Sequence, residues 1–380
     1  MTKINDFKIL DLFCGAGGFS YGMHRNEHFK TVVALDFNAE AANTFKMNMP
    51  EADVITGDIT KKEVRNQVLE KSRKAQVNMI IGGPPCQGFA MKGKKLGLDD
   101  ERNFLFREYL AIVEELRPEV FVIENVKRIL TSSNGWFRDE ILNYIKNLGY
   151  SVNYGVLNAL NYGVPQSRER AFFICSLTRN ILLPDPQNKE VTVRDAISDL
   201  AYLESGEGAI EADYACEPLS DYQIMMRTGS NRLFNHQASR HSEKALYKLS
   251  LIPPEKGQEY LPTELRGKQI YHTTWCRLVW DTFSPTIDTR FDTPSNGTNS
   301  HPVINRSITP REAARLQSFD DTFVFYGNKG SICKQIGNAV PPLLSEAIAN
   351  SIYDAYNGEF ADQKYRVSSE GQLCIDLNTV

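Results

Sequence analysis

"DLFCGAGGFS", Asp11–Ser20, opens the reading of this chain. Asp11, Leu12 and Phe13 close an apolar run that begins at Lys8 ("KILDLF"), and the run breaks at once into Cys-Gly-Ala-Gly-Gly. A short apolar run reads as a buried strand, and glycines after it let a ligand come close to the backbone. Phe19 and Ser20 then start a helical pattern. Strand, glycine turn and helix form the opening unit of a nucleotide-binding α/β sheet. The next run, "TVVALD" (31–36), ends in Asp36, about twenty residues on, where an acidic side chain takes ribose hydroxyls.

The turn departs from the dinucleotide pattern. Gly15 and Gly17 fit the first two positions of G-x-G-x-x-G, but Ser20 stands where the third glycine belongs. The segment thus suits a nucleoside without pyrophosphate, such as S-adenosylmethionine. On this stretch alone NAD is not separated from it, and a tight turn beside a surface Asp would read the same way. Further strand candidates follow at "DVIT" (53–56), "VNMII" (77–81), "EVFVIE" (119–124), "VNYGVL" (152–157) and "AFFICS" (171–176). Amphipathic stretches such as "NAEAANTFKMN" and "LFREYLAIVEELRP" separate them. Near-continuous apolar strands alternating with helices predict a doubly wound, mostly parallel seven-stranded α/β sheet covered on both faces.

After Leu183 the pattern changes. "LPDPQNKE" reads as a linker, and up to Asn305 Gly, Pro, Asn and Ser are frequent and periodicity is poor. This predicts a second, smaller, irregular domain over 185–305. Helical pattern returns at "TPREAARLQSF", with Thr309 as N-cap and Pro310 at the first helical position, and ends in "PPLLSEAIANSIYDAY". The sheet domain is expected over 1–184 and 328–358, a junction over 306–327, and a polar tail over 359–380.

The 380 residues suffice for two domains, and the net charge of −4 argues neither for nor against nucleic acid. The seven cysteines include no CxxC pair, so neither a metal site nor a disulfide framework is expected. No apolar run reaches membrane-spanning length and no signal segment is read at the N-terminus, so the expected location is cytoplasmic, with no membrane contact.

Cys86 follows two glycines and two prolines just past the fourth strand ("IIGGPPCQGFA", 80–90). Prolines stiffen the backbone, and ligands of open α/β sheets bind outside the carboxyl ends of strands. A lone Cys is usually an inert small hydrophobe, but this setting places a thiol with little freedom. The residues that follow carry Lys92, Lys94, Lys95 and Arg102 among glycines, which suits an anionic polymer. Glu124 ends the fifth strand in "ENV", where a salt-bridged or capping role is the plain alternative. Arg168 and Arg170 in "QSRERAFF" share one side by period two, where a solvated basic edge is the plain alternative.

Together "DLFCGAGGFS", "GGPPCQGFA", "ENV", "QSRERAFF", "RSITPREAARLQSF" and "GNAVPPLL" stand in one order. In this the chain resembles the bacterial DNA (cytosine-5) methyltransferases over nearly its full length. The resemblance implies that Cys86 attacks carbon 6 of a flipped-out cytosine, that Glu124 contacts N3 and the amino group, and that Arg168 and Arg170 hold the base and order the site. It implies an S-adenosylmethionine pocket at Phe13, Gly15, Gly17, Asp36, Phe37, Asp58, Ile59, Pro84 and Leu105, completed by Asn338 and Val340, with S-adenosylhomocysteine as product and no metal. Ala90 departs from the serine that many relatives carry there.

The resemblance makes the irregular interval a target recognition domain for duplex DNA. From Tyr222 to Trp280 nine basic residues meet four acidic ones. Arg227, Arg232, His236, Arg240 and Arg277 are the expected DNA contacts there, with Gln87, Lys92 and Lys94 beside the thiol. "SEKALYKL" reads as a surface helix, and Arg306 and Arg311 as organisers of the junction. A monomer is expected, as is a cognate restriction endonuclease acting on the same site. The tRNA-methylating branch of the superfamily is disfavoured, because it typically reads "PPCQPF" with a later "CFT" where this chain has "PPCQGF" and no "CFT". A non-catalytic DNA binder is disfavoured by the joint presence of Cys86, Glu124, Arg168 and Arg170.

Overall fold

The structure is a computed structural model and describes residues 6–85, 104–187, 189–266 and 272–357. All seven expected strands form: β1 Phe7–Leu12, β2 Phe29–Asp36, β3 Asp53–Thr56, β4 Met79–Gly82, β5 Val120–Val126, β6 Ser151–Asn158 and β7 Glu169–Ser176. They make one sheet in the order β3-β2-β1-β4-β5-β7-β6. Neighbours from β3 to β5 are parallel, and β7 runs antiparallel between β5 and β6. The chain reverses its winding between β3 and β4, so the carboxyl ends of β1 and β4 flank the crevice where open sheets bind ligands.

Burial explains why these runs became strands. Ile9, Leu10, Leu12, Ile80, Ile81, Phe121, Val122 and Ile123 are buried on both faces of the sheet. One face packs on Phe106, Tyr109, Leu110 and Val113 of the helix Phe104–Leu116. Each fully buried Leu, Ile or Phe contributes about 1.5–3 kcal/mol relative to exposure. Across the opposite layer, the helix Gly18–Met23 lies against the last helix, Pro342–Asn357. Ser345 Oγ donates to the Phe19 carbonyl at 2.5 Å, and Arg25 pairs with Glu346 at 2.7 Å. A Cβ on Gly22 would stand 2.5 Å from Ser345 Cβ, so the two helices meet backbone to backbone there.

Two compact units divide the chain. The first comprises Met1–Asn158, Glu169–Gln187 and Pro342–Val380, and the second Ala159–Arg168 and Asn188–Pro341. The partition differs from the boundaries drawn on the sequence. Residues 328–341 go with the second unit, because Gly337 lies against the Asp288 backbone and the Gln317 amide donates to the Ile336 carbonyl at 2.8 Å. Residues 159–168 join it too, through the Gln166 side chain, which bonds the Leu316 carbonyl and the Ile287 amide.

Regular structure in the second unit is sparse. It has a two-stranded antiparallel ribbon, β8 Gly208–Ala212 with β9 Leu233–Gln237, and short helices. Thr309 caps the helix Pro310–Leu316 in a reciprocal capping box with Glu312. Buried ion pairs replace part of an apolar core: Arg306 with Glu312 at 2.7 Å, and Arg315 with Asp199 and Asp321 at 2.6 Å each.

Candidate active site at the carboxyl edge of the sheet

The turn after β1 is held from β2. Leu35 O accepts from the Cys14 amide at 3.1 Å. Asp36 Oδ2 accepts from the Gly15 amide at 2.7 Å, while Oδ1 accepts from Asn38 N at 2.7 Å. Gly17 adopts φ 96°, and a Cβ there would meet the Phe45 ring at 2.6 Å, so only glycine suits the position. Beneath the turn, Ser20 Oγ donates to Oδ2 of the buried Asp11 carboxyl at 2.6 Å and accepts from Thr31 Oγ1 at 2.8 Å. Burial pushes the Asp11 carboxyl up to about 8, so it stays protonated near neutrality. Burial also raises Asp36, against the lowering effect of the backbone amides that bond it.

Of the other expected pocket residues, Phe37, Asp58, Ile59 and Pro84 follow β2, β3 and β4 at the carboxyl ends of the strands. Phe37 is 77% exposed, which leaves its ring open to a flat ligand. Asp58 accepts from the Thr60 amide and hydroxyl, which hold its carboxyl below the usual range. Ile59 and Pro84 are buried, and Phe13 and Leu105 pack partly buried on the main core. Asn338 ends the helix Lys329–Asn338 and Val340 is buried, both in the second unit. A Cβ on Gly15 would find open space, no basic side chain stands in Asp11–Ser20, and a carboxylate sits at the mouth. The first-unit residues fit a nucleoside with an apolar-stacked base and no pyrophosphate.

Glu124 stands at the carboxyl end of β5. Register explains its partner: Glu124 opposes Phe172 and Val126 opposes Arg170, which puts Glu124 and Arg170 on one face as diagonal neighbours. Arg170 Nε lies 3.0 Å from Glu124 Oε1, with both side chains largely buried. Glu124 Oε2 occupies ground that only glycine leaves open, since a Cβ on Gly83 would stand 2.8 Å from it. Asn125 Nδ2 donates to the Pro84 carbonyl at 2.9 Å and so ties the β4 loop to β5. Gly83 and Asn125 escaped the sequence reading. The doubled glycine before Pro84 was the available signal for one, and the Asn of "ENV" for the other.

Cys86, Gln87, Lys92 and Lys94 lie outside the described residues. Arg168 is fully buried, and its guanidinium donates to the carbonyls of Ile287 at 3.2 Å and Gly337 at 2.7 Å. It thus braces the second unit, where the sequence reading paired it with Arg170. Two of the expected DNA contacts, Arg277 and His236, need correction. Arg277 is buried, and all five of its donors bond oxygens of Leu249, Ile252, His301, Ile304 and Asn305. His236 is buried, with Nδ1 3.0 Å from Thr309 Oγ1. Neither can meet a base edge from there. Arg227 is paired with Asp199 and lies over the Tyr214 ring at 4.1 Å, and Arg232 is paired with Glu211 and Asp213. Arg240 is exposed and makes no ion pair among the described residues. Arg306 and Arg311 are fully buried, in keeping with an organising role. No group of three or more His, Cys, Asp or Glu among the described residues could hold a metal ion, and no helix among them is long and apolar enough to cross a membrane.

A doubly wound seven-stranded sheet with this glycine turn and an acid closing β2 is the framework of S-adenosylmethionine-dependent methyltransferases. The model of the C-5 cytosine-specific DNA methylase family matches residues 7–354, and the chain belongs to that family. It is 36% identical over 374 residues to the type II methyltransferase M.DdeI of Desulfomicrobium norvegicum, covering 90% of this chain and 88% of that protein. It is 36% identical over 347 residues to M1.HphI of Haemophilus parahaemolyticus, covering 90% and 86%. Among solved structures, a prophage-encoded protein of E. coli described as a DNA modification methyltransferase superposes with TM-score 0.73 at 26% identity, over 92% of this chain and 99% of that one. A Spodoptera frugiperda DNMT2 mutant shares the fold, with TM-score 0.60 at 18% identity over 92% of this chain and 100% of the other. The chain is a DNA (cytosine-5) methyltransferase that uses S-adenosylmethionine.

Proposed function

We propose that the chain methylates cytosine within one defined duplex sequence, on a base flipped out of the helix and held by a transient bond to Cys86. We further propose that it is the modification partner of a type II restriction endonuclease and works as a monomer. The observation that carries the catalytic reading is the Glu124–Arg170 pair, fixed at the carboxyl end of β5 against Gly83, three residues before Cys86. The type II methyltransferases among its relatives support the biological setting.

Carbon 5 of cytosine is a weak nucleophile. Addition of the Cys86 thiolate to carbon 6 turns the ring into an enamine, which is nucleophilic at carbon 5. An ordinary thiol is only a few per cent ionised near neutrality, with a pKa of about 8.5, so the step needs help at the ring. Glu124, aimed by Arg170, supports protonation at N3 as the sulfur adds. S-adenosylmethionine, when bound, supplies an electrophilic methyl group, and Phe13, Gly15, Asp36, Phe37, Asp58 and Ile59 would hold it. Loss of the carbon-5 proton then expels the thiol and restores the ring. Flipping the base costs a few kcal/mol, which the enzyme repays through contacts to the extruded ring.

Duplexes carrying 5-fluorocytosine test this, because fluorine cannot leave as a proton does. The expected product is a covalent protein–DNA species whose peptide mass maps to Cys86. Absence of that species on DNA whose unfluorinated form is methylated would overturn the covalent route. Mapping 5-methylcytosine in an expressing host is expected to show one short sequence context.

A further inference from the structure

Within the second unit the segment 222–280 carries a surplus of basic residues, nine against four acidic ones, and the structure sorts them. Arg227 and Arg232 are ion-paired. Arg266 donates to the carbonyls of Leu261 and Glu259, each at 2.8 Å, and Arg277 is buried among oxygens. Arg240 and Lys256 are exposed and make no ion pair among the described residues, and Lys244 and Lys248 differ from them in sharing one helix. Both lie on the helix Glu243–Ser250, four residues apart and therefore on one face. Neither makes an ion pair among the described residues.

We propose that the helix Glu243–Ser250 grips the phosphate backbone of duplex DNA through Lys244 and Lys248, a role that rests on the function proposed above. Two ammonium groups one turn apart repel by about 0.2–0.5 kcal/mol, and a phosphate bridging them relieves it. Partial burial and the Lys244 charge both weaken the hold of Lys248 on its proton. Lys248 Nζ rests over the Trp275 ring at 4.7 Å, which fixes where the charge is presented.

The mount is built to hold still. Ser242 caps the helix, and Leu249 packs with Ile252, Leu261 and Trp275 in a cluster separate from the main core. Trp275 keeps φ 62°, a conformation costly for a bulky residue, with its amide donating to Pro294 O at 2.8 Å. Of the nearby acids, Glu255 accepts from Trp280 N and Glu259 from Gly257 N. Glu243 sits in the first helical turn, where it complements the helix dipole. Tyr247, 58% exposed between the two lysines, offers a hydroxyl to the same strand.

Phosphate contacts carry no sequence information, and each released counterion adds about 0.9 to the salt slope of binding. The full-length Lys244→Gln/Lys248→Gln variant is expected to lose duplex affinity about 10- to 100-fold at low salt. Its slope of log K against log salt should fall by about 2. The loss should be equal on methylated-site and unrelated duplexes, with Lys244→Arg/Lys248→Arg restoring the slope and Lys74→Gln, on an exposed helix of the first unit, leaving it unchanged. An unchanged slope, a loss confined to one sequence, or the same loss with single-stranded RNA alone would overturn the proposal. Methyl transfer by the wild type is measured in the same preparation. A wild type that methylates while the double variant keeps its slope defeats this proposal alone, whereas a wild type that binds no duplex defeats both.

Discussion

At the residue scale the site is organised by exclusion of volume. Gly83 owes its identity to Glu124, whose Oε2 fills the space a methyl group would need. Gly83→Ala should therefore push the carboxylate off its line with Arg170. Displacements near 1 Å at a reacting group cost about a hundredfold in rate. We expect a kcat loss of that order in a methyl-transfer assay, with S-adenosylmethionine binding by calorimetry unchanged. A loss of both together would contradict the assignment. Asp36 works differently, because it bonds the backbone of the turn it would use to hold a ribose. Asp36→Ala leaves the Gly15 amide without its partner, at about 1–3 kcal/mol. Binding of S-adenosylmethionine should weaken by at least tenfold, and fluorinated duplex should still bind.

At the element scale, the central strands were legible because burial on both faces demands an apolar run flanked by polar or turn residues, whereas the edge strands β3 and β6 are partly exposed and stood out by their β-branched residues between turns. The Thr309 cap was legible for a local reason as well, since the reciprocal bonds to Glu312 span three residues. Thr309→Ala should cost about 1 kcal/mol or more in urea unfolding, as His236 loses its neighbour too. The cations were not legible. Arg277 and exposed Arg240 look alike as letters, yet Arg277 is bound by oxygens up to 28 residues away in sequence. The Glu124–Arg170 pair likewise depends on antiparallel register, which periodicity alone does not give. Gly22 marks the tightest element contact described. Gly22→Ala would force the helices Gly18–Met23 and Pro342–Asn357 apart, and overpacking of that kind costs about 1–3 kcal/mol. A lower melting temperature is expected, with binding by the second unit's lysines intact.

At the scale of the whole molecule, the two units respond to pH in opposite directions. In the second unit, burial holds His236 down to about 4 and His301 to about 3. Glu312, Arg306 and Arg315 surround His236, and Glu312, Arg306 and Arg277 surround His301. Both rings stay neutral in the fold, while the unfolded chain takes up protons below about 6.5. Their contribution is complete above 6.5 and lost as pH falls toward 4, at about 1 kcal/mol each by pH 5.5. Burial would raise Glu312, but Arg306 outweighs it and holds the carboxyl at about 2, so that contribution disappears only between about 4.5 and 2. In the first unit burial holds His24 down to about 4, a loss with acid like that of His236, but it shifts Asp11 further, up to about 8. Its neutral form favours the fold at low pH, and stability declines as pH rises from about 4 through 8. Segment-resolved hydrogen exchange at pH 7.5 and 5.5 should show the second unit loosening with acid while the first tightens. Parallel loosening of both would refute the assignment.

The packing of Pro342–Asn357 onto Gly18–Met23 has a further consequence for biogenesis. Tyr356 closes on Phe7 at 5.5 Å, and Tyr353 stacks on His28 at 4.4 Å. The ribosome thus makes the earliest hydrophobic layer more than three hundred residues before its cover. During that interval the nascent polypeptide bares apolar surface, and at about 5–20 residues per second the exposure lasts tens of seconds. A product terminated ahead of Pro342 is expected to lack this cover and to aggregate, which a sedimentation assay of the truncated chain checks.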